Sequence, residues 1–221
     1  MSASFETNKG VELEWAAQQA LELQQILGRG TFEEWIVAGS VRRQSVIVGD
    51  VDHVIIPKLD TVEVGDGLFA SETAKVNLVW HALEKIIGQD VGGFRLEKHL
   101  YGNAETPRWG PKTRGIDVIT PELTLRHELR MTTRESLGAA LAIYTGPAEF
   151  AKELVTGLLR NRRRNKDGSV WECARCTCGG HHLCKGCDGT GLTPAKQLIV
   201  PTEEEYFALC GVAYVEPQQR R

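Results

Sequence analysis

Two carboxylates placed two residues apart on a short apolar strand constrain this chain more than any other feature. Asp50-Val51-Asp52 leads into the run Val51 to Ile56, which Pro57 closes. Alternate side chains of a strand share a face, so Asp50 and Asp52 lean the same way. Two hard carboxylates side by side repel unless a cation lies between them, and magnesium or manganese takes such oxygen ligands. Gly39-Ser40-Val41-Arg42-Arg43 stands six residues upstream. Where a strand gives way to a turn, backbone N–H groups at Gly39 and the Ser40 hydroxyl can hold phosphate oxygens. Arg43 adds a fixed cationic fork suited to phosphate. D-x-D alone is short enough to be an ordinary strand end; joined to G-S-x-R-R at this spacing it points to a site for metal and phosphate.

The rest of the chain suits an α/β (α+β) domain with a smaller one after it. Its 221 residues suffice for one large domain or two small ones. Apolar periodicity predicts helices over about Val11 to Leu27, Ser71 to Ile87, Ser136 to Tyr144, Pro147 to Arg163 and Glu203 to Leu209. Strands are expected at Trp35 to Ala38, Val51 to Ile56, Phe94 to Tyr101 and Ile116 to Ile119. Asp60 to Gly67 reads as a turn or loop, and Leu123 to Thr133 fits neither helix nor strand clearly. No apolar run reaches the ~18 residues of a membrane span, and MSASFETNKG lacks a signal-peptide core. A cytoplasmic protein is expected, bacterial or viral in a host cytoplasm. The net charge of −3 argues against avid nonspecific coating of DNA. Charges are uneven, however, and Arg160, Arg162, Arg163, Arg164 and Lys166 form a basic run that is either a solvated helix end or a nucleic-acid contact.

The run GSVRRQSVIVGDVD resembles the palm signature of the family X DNA polymerases. Adjacent arginines, and Gly49 before the first aspartate, narrow a pattern shared more widely among nucleotidyltransferases. The resemblance extends over most of Trp35 to Arg221. It implies a nucleotidyltransferase palm (1–145), a mixed sheet flanked by helices, followed by a small thumb (146–221). A third carboxylate is expected on a strand neighbouring the first two, and Asp117 in Arg114-Gly115-Ile116-Asp117 is the candidate. The family often places an arginine two residues before that carboxylate; here Gly115 occupies the position. Tyr144-Thr145-Gly146 resembles the aromatic-Thr-Gly turn that lies against the sugar of the incoming nucleotide. The family's cis peptide after that glycine would fall at Gly146-Pro147, where cis costs only ~0.5–1 kcal/mol, so a cis bond is expected.

The resemblance implies catalysis by Asp50, Asp52 and Asp117 holding two Mg2+ or Mn2+ ions. Gly39, Ser40, Arg43 and Gly49 would bind the β- and γ-phosphates of a dNTP, with Tyr144 and Gly146 along the sugar. The expected reaction is attack of a primer 3′-hydroxyl on the α-phosphate, templated or template-independent, in DNA repair, by a monomer acting on a primer or primer-template. Ala151 and Val155 stand where relatives carry an asparagine that touches the incoming base and an arginine that touches the template, so low fidelity is expected. The alternatives are transfer to RNA or a small molecule, and a non-catalytic nucleic-acid-binding scaffold.

Five of the six cysteines lie between Cys173 and Cys187. Cys173-Ala174-Arg175-Cys176 and Cys184-Lys185-Gly186-Cys187 are C-x-x-C pairs seven residues apart. Two such turns converge four thiolates on a tetrahedral ion, so a structural Zn2+ knuckle is expected over about 170–192, with Cys178, His181 and His182 as competing ligands. A redox pair is the other reading. Cys210 falls on the apolar side of a helix and is expected to be buried.

Overall fold

The computed structural model describes residues 10–64, 72–102, 106–178, 184 and 187–221. In chain order the elements are β1 (Val11–Glu12), α1 (Leu13–Leu27), β2 (Phe32–Val37), α2 (Gly39–Arg42), β3 (Ile47–Val48), β4 (Asp50–Pro57), β5 (Leu59–Val64) and β6 (Glu72–Asn77). They continue as α3 (Leu78–Ile86), β7 (Asp90–Val91), β8 (Phe94–Lys98), β9 (Thr113–Ile119), β10 (Thr124–Met131), α4 (Leu137–Thr145) and α5 (Ala148–Arg160). The chain closes with β11 (Arg163–Lys166), β12 (Ser169–Arg175), β13 (Leu192–Leu198) and α6 (Glu203–Cys210). Contacts divide it into two units, one of residues 1–37 and 44–131, the other of residues 38–43 and 132–221.

The first unit is built on a six-stranded mixed sheet in the order β2-β4-β10-β9-β8-β7. The parallel neighbour of β4 is β10, and β9 runs antiparallel on the far side of β10. Period-two patterning gives each central strand one apolar face. Leu129, Ile116, Val118 and Leu96 join Leu23 and Leu27 of α1 and Val79 and Leu83 of α3 in one core. Each fully buried Leu or Ile there contributes about 1.5–3 kcal/mol. The opposite parity carries Asp50 and Asp52 on β4, Arg126, Glu128 and Arg130 on β10, and Asp117 on β9.

That core also holds a polar chain. Trp35 Nε1 donates to His53 Nδ1 at 2.8 Å, and His53 Nε2 lies 2.9 Å from His127 Nδ1. Because the indole donates, His53 Nδ1 accepts and its Nε2–H is the donor to His127. The two rings stack at 5.2 Å between centroids. Burial pushes the His127 imidazole down to about 3; His53 falls well below its ordinary value through burial first and its neighbour His127 second. Both rings are therefore neutral.

Two expectations for this unit are corrected. Glu72–Asn77 is a strand paired with β5 rather than the start of a helix, and β5 replaces the expected loop over residues 60–64, while 65–67 lie outside the described residues. The helix is shorter, Leu78–Ile86, and Asn77 caps it by accepting from the backbone N–H groups of Val79 and Trp80. Ser71, where the helix was expected to begin, lies outside the described residues. Val76, Val79, Leu83 and Ile86 fall at helical spacing, but Val76 belongs to the β5–β6 ribbon.

In the second unit α4, α5 and α6 pack around Leu154, Leu158, Tyr206 and Phe207, with Cys210 buried among them as expected. Gly138 permits the closest approach, since a Cβ there would lie 1.9 Å from the Thr202 carbonyl oxygen. Thr202 and Glu205 form a reciprocal capping box on α6. No cis peptide is present among the described residues. Gly146-Pro147 is trans, a correction, because Pro147 serves as the N-cap of α5 with φ −64 and ψ 166. The basic run does not extend α5: Arg163–Lys166 pairs with β12, and Arg164 is buried.

Candidate active site and metal centre

Strand order decides which carboxylates can meet. Asp52 stands in register with Glu128 of β10, and Asp50 with Arg126. Arg126 is in turn in register with Asp117 of β9. At about 4.8 Å per strand, Asp50 and Asp117 lie roughly 10 Å apart in their backbones, with Arg126 between them. The expectation that Asp117 sits on the strand neighbouring β4 is thus corrected: β10 is that neighbour, and its carboxylate is Glu128. The physical reason is that Thr120 to Leu123 turns the chain back, so the strand after Asp117 inserts beside β4.

The side chains form one charged surface. Arg126 pairs with Asp50, and Arg130 reaches both Glu128 and, at 3.3 Å, Asp52. Tyr101 Oη donates to Glu128 Oε1 at 2.8 Å, while His99 Nδ1 lies 2.8 Å from Asp117 Oδ1. Burial first raises the Asp52 carboxyl to about 6; Arg130 opposes the rise, and the charges of Asp50 and Glu128 add to it. Burial and the bond to Glu128 push the Tyr101 phenol up to about 12, so it remains a donor.

This crowding of hard oxygen donors fits a divalent cation, which would offset the burial that lifts Asp52 and the repulsion that adds to it. Asp50, Asp52 and Glu128 share that surface across β4 and β10, whereas Asp117 faces His99. Sequence reading passed over Glu128, and the missed signal was local. The resemblance expects an arginine two residues before the third carboxylate, and Arg126 stands there relative to Glu128.

The phosphate and sugar candidates Gly39, Ser40, Arg43, Tyr144 and Gly146 belong to the second unit, and Gly49 to the first. There the two motifs are joined. Arg43 donates to the Thr145 carbonyl at 2.5 Å, and Arg42 to the Thr145 hydroxyl at 2.8 Å. Arg42 also reaches Glu203 at 2.6 Å, whose other oxygen takes Arg220 at 2.6 Å. Arg220 lies 5.0 Å from the Phe207 ring centroid and 5.6 Å from that of Tyr214.

A separate centre is formed by cysteines. The sulfurs of Cys176, Cys178, Cys184 and Cys187 all lie within 4.8 Å of one another, the one such group of metal-ligating residues among those described. Cys176 and Cys184 are 3.7 Å apart, and Cys178 and Cys187 are 3.4 Å apart. Four sulfurs at about 2.3 Å from a tetrahedral zinc stand about 3.8 Å from one another, so the set fits zinc. The expected ligand Cys173 is corrected to Cys178. Cys173 lies inside β12, paired with Pro194, and an extended strand carries Cys176 too far from it for one ion. His181 and His182 lie outside the described residues. The Cys178 backbone N–H, then the Thr193 hydroxyl, pull the Cys176 thiol down to about 6. Buried Arg164 braces the loop, donating to the carbonyls of Cys187 at 2.9 Å and Leu192 at 3.2 Å. Cys178→Ser is expected to release one equivalent of zinc in a chelator-dye titration. Cys173→Ser should retain it.

No protein-family model matches the chain. In sequence it is similar to DNA polymerase lambda of Rattus norvegicus, 25 % identical over 185 residues. That match covers 84 % of this chain and 28 % of the relative, so the chain spans under a third of the relative's length. In structure it is similar to Leishmania infantum polymerase beta, solved as a ternary P/T complex, with a TM-score of 0.65 at 16 % identity. That alignment covers 98 % of this chain and 78 % of the other. A ternary gap complex of the same polymerase gives 0.65 at 17 % identity, covering 98 % and 72 %. The chain is similar in sequence and in fold to these polymerases. Its fold is the mixed α+β fold of polymerase beta. No helix among the described residues is long and apolar enough to cross a membrane.

Proposed function

We propose that this chain is a metal-dependent nucleotidyltransferase that extends a polynucleotide 3′-hydroxyl with nucleotides from dNTPs. The carrying observation is the carboxylate surface: Asp52 opposite Glu128, Asp50 beside them, and Arg126 and Arg130 interleaved on a polymerase-like sheet. Asp50, Asp52 and Glu128 take the role of metal-holding carboxylates, with Glu128 in the place first expected of Asp117. Bound there, two Mg2+ or Mn2+ ions would lower the hydroxyl pKa and neutralise the triphosphate.

In the reaction the 3′-oxygen bonds to the α-phosphorus, the α–β phosphoanhydride bond breaks, and pyrophosphate leaves. The three carboxylates fix where the cations lie and so align nucleophile and leaving group. Gly39, Ser40, Arg43 and Gly49 hold the β- and γ-phosphates, and Tyr144 and Gly146 border the sugar; these roles rest on the motifs. Ala151 and Val155 on α5 bring neither an amide to the base nor a cation to the template, which supports weak template control. The four cysteines hold a structural zinc.

Primer extension with labelled dNTPs and magnesium or manganese tests this. Gapped duplex, single-stranded DNA and RNA primers are compared, with Asp50→Asn as control. Metal-dependent incorporation that Asp50→Asn abolishes is expected on a DNA primer. Binding of DNA without any incorporation would overturn the enzymatic reading in favour of a scaffold.

A further inference from the structure

We infer that Tyr101 is a positioning residue for the Glu128 carboxylate, reaching it through the gap left by the missing side chain at Gly115. The inference rests on the reading of Glu128 as a metal-holding residue. Tyr101 follows β8, at the start of the segment that leads to β9, and Glu128 lies on β10, so strand β9 runs between them. Gly115 is the β9 residue in register with Glu128. A Cβ at Gly115 would lie 2.6 Å from Tyr101 Oη and 3.1 Å from Cε2. Any side chain there would occupy the space the phenol uses. The glycine is therefore needed for that close approach, and its φ lies outside the left-handed region.

The ring is held from several sides. The Arg108 guanidinium stands 4.6 Å from its centroid and that of Arg126 5.7 Å. The His99 ring meets it edge-on at 4.5 Å. The His99 backbone N–H donates to the Gly115 carbonyl at 3.0 Å, which seats the segment on β9. One short stretch thus supplies a hydrogen bond to each outward carboxylate of the next two strands, His99 to Asp117 and Tyr101 to Glu128.

The consequence for Glu128 follows from counting its acceptors. Its Oε2 takes Arg130 and its Oε1 takes Tyr101. A carboxylate has about four lone-pair positions, so these two bonds leave others open for a cation while fixing the plane of the group. Partners of this kind orient a ligand, and losing one typically weakens metal affinity about 10–100-fold.

The test uses zinc-loaded full chain and Mn2+ alone, with binding followed by loss of the free-ion electron paramagnetic resonance signal. The thiolate centre, already filled, discriminates against manganese. Tyr101→Phe keeps the ring and removes the hydroxyl. It should weaken Mn2+ binding about tenfold with the thermal midpoint little changed. Gly115→Ala should weaken binding similarly by displacing the phenol. The double variant should be no weaker than either single one. In primer extension the Tyr101→Phe defect should shrink at saturating Mn2+, a separation that a purely structural role would not produce. Unchanged Mn2+ affinity in Tyr101→Phe, while Glu128→Gln and Asp50→Asn lose it, would overturn this inference alone. Unchanged affinity in Glu128→Gln and Asp50→Asn would overturn the metal-site reading beneath it.

Discussion

Glu128→Gln is expected to lower nucleotide incorporation by about 10³-fold or more, and Asp117→Asn by less than about tenfold. Each factor of ten is 1.36 kcal/mol of transition-state stabilisation, and a cation holding charge in a site of this kind supplies several kcal/mol. Glutamine keeps the size of Glu128, and with its oxygen toward Arg130 its amide N–H can donate to the Tyr101 oxygen, so the change removes charge and little else. Asp117 is separated from β4 by β10 and is bonded to His99, and its amide should disturb only the rim of the surface. Single-turnover primer extension with both variants checks this. A larger loss in Asp117→Asn than in Glu128→Gln would return the third carboxylate to β9.

Asp52→Asn should abolish incorporation and yet stabilise the protein when no divalent cation is added. The folded-state carboxyl titrates at about 6 against an ordinary 3.8, chiefly through burial. Between those values the folded chain binds more protons than the unfolded one, so this group's contribution to stability grows as pH falls through 6 and is complete near 4. Above 6 the ionised carboxylate costs up to about 3 kcal/mol at 1.36 kcal/mol per unit. With 19 % of the side chain exposed, about 1–3 kcal/mol is the fair range. For a chain of this size each kcal/mol moves the midpoint by about 2–4 °C. Asparagine should therefore raise the midpoint at pH 7.5 by about 2–12 °C, and the gain should vanish near pH 4. Added magnesium should narrow the difference by stabilising the parent chain. A variant less stable than the parent at pH 7.5 would contradict this account.

The strand bearing Asp50 and Asp52 was legible because its inward residues are a nearly continuous apolar run ending at Pro57. The helix from Leu13 and the capped α6 were legible for the same kind of reason, periodicity with identifiable ends. Strand β10 was not. It reads Thr-Leu-Arg-His-Glu-Leu-Arg-Met, and the histidine among its four inward residues is set between charged outward ones, so no apolar run marks it. Hiding the strand hid Glu128 and left Asp117 as the visible acid. The β5–β6 ribbon escaped because local composition alone suggested a loop. At the cysteines, spacing favoured the two C-x-x-C pairs. The extension of β12 through Arg175, which removes Cys173 from the group, depends on pairing with β13 that no local pattern records.

The neutral imidazoles beneath the sheet narrow an ambiguity that oil-like contacts leave open. Sliding β10 by one residue along β4 would turn its acids inward, and hydrophobicity forbids it. A slide of two residues keeps Leu125, His127 and Leu129 inside, and greasy packing barely distinguishes it. In the direction that parts the rings, that slide would strand the His53 N–H and the His127 acceptor opposite hydrocarbon, at about 1–3 kcal/mol for each unmet group. In the observed setting the rings meet diagonally, with His53 opposite Leu129 and His127 opposite Val51, and Asp52 faces Glu128. The buried pair works as a stop: from the dry side of the sheet it blocks one direction of slip among the acids on the wet side.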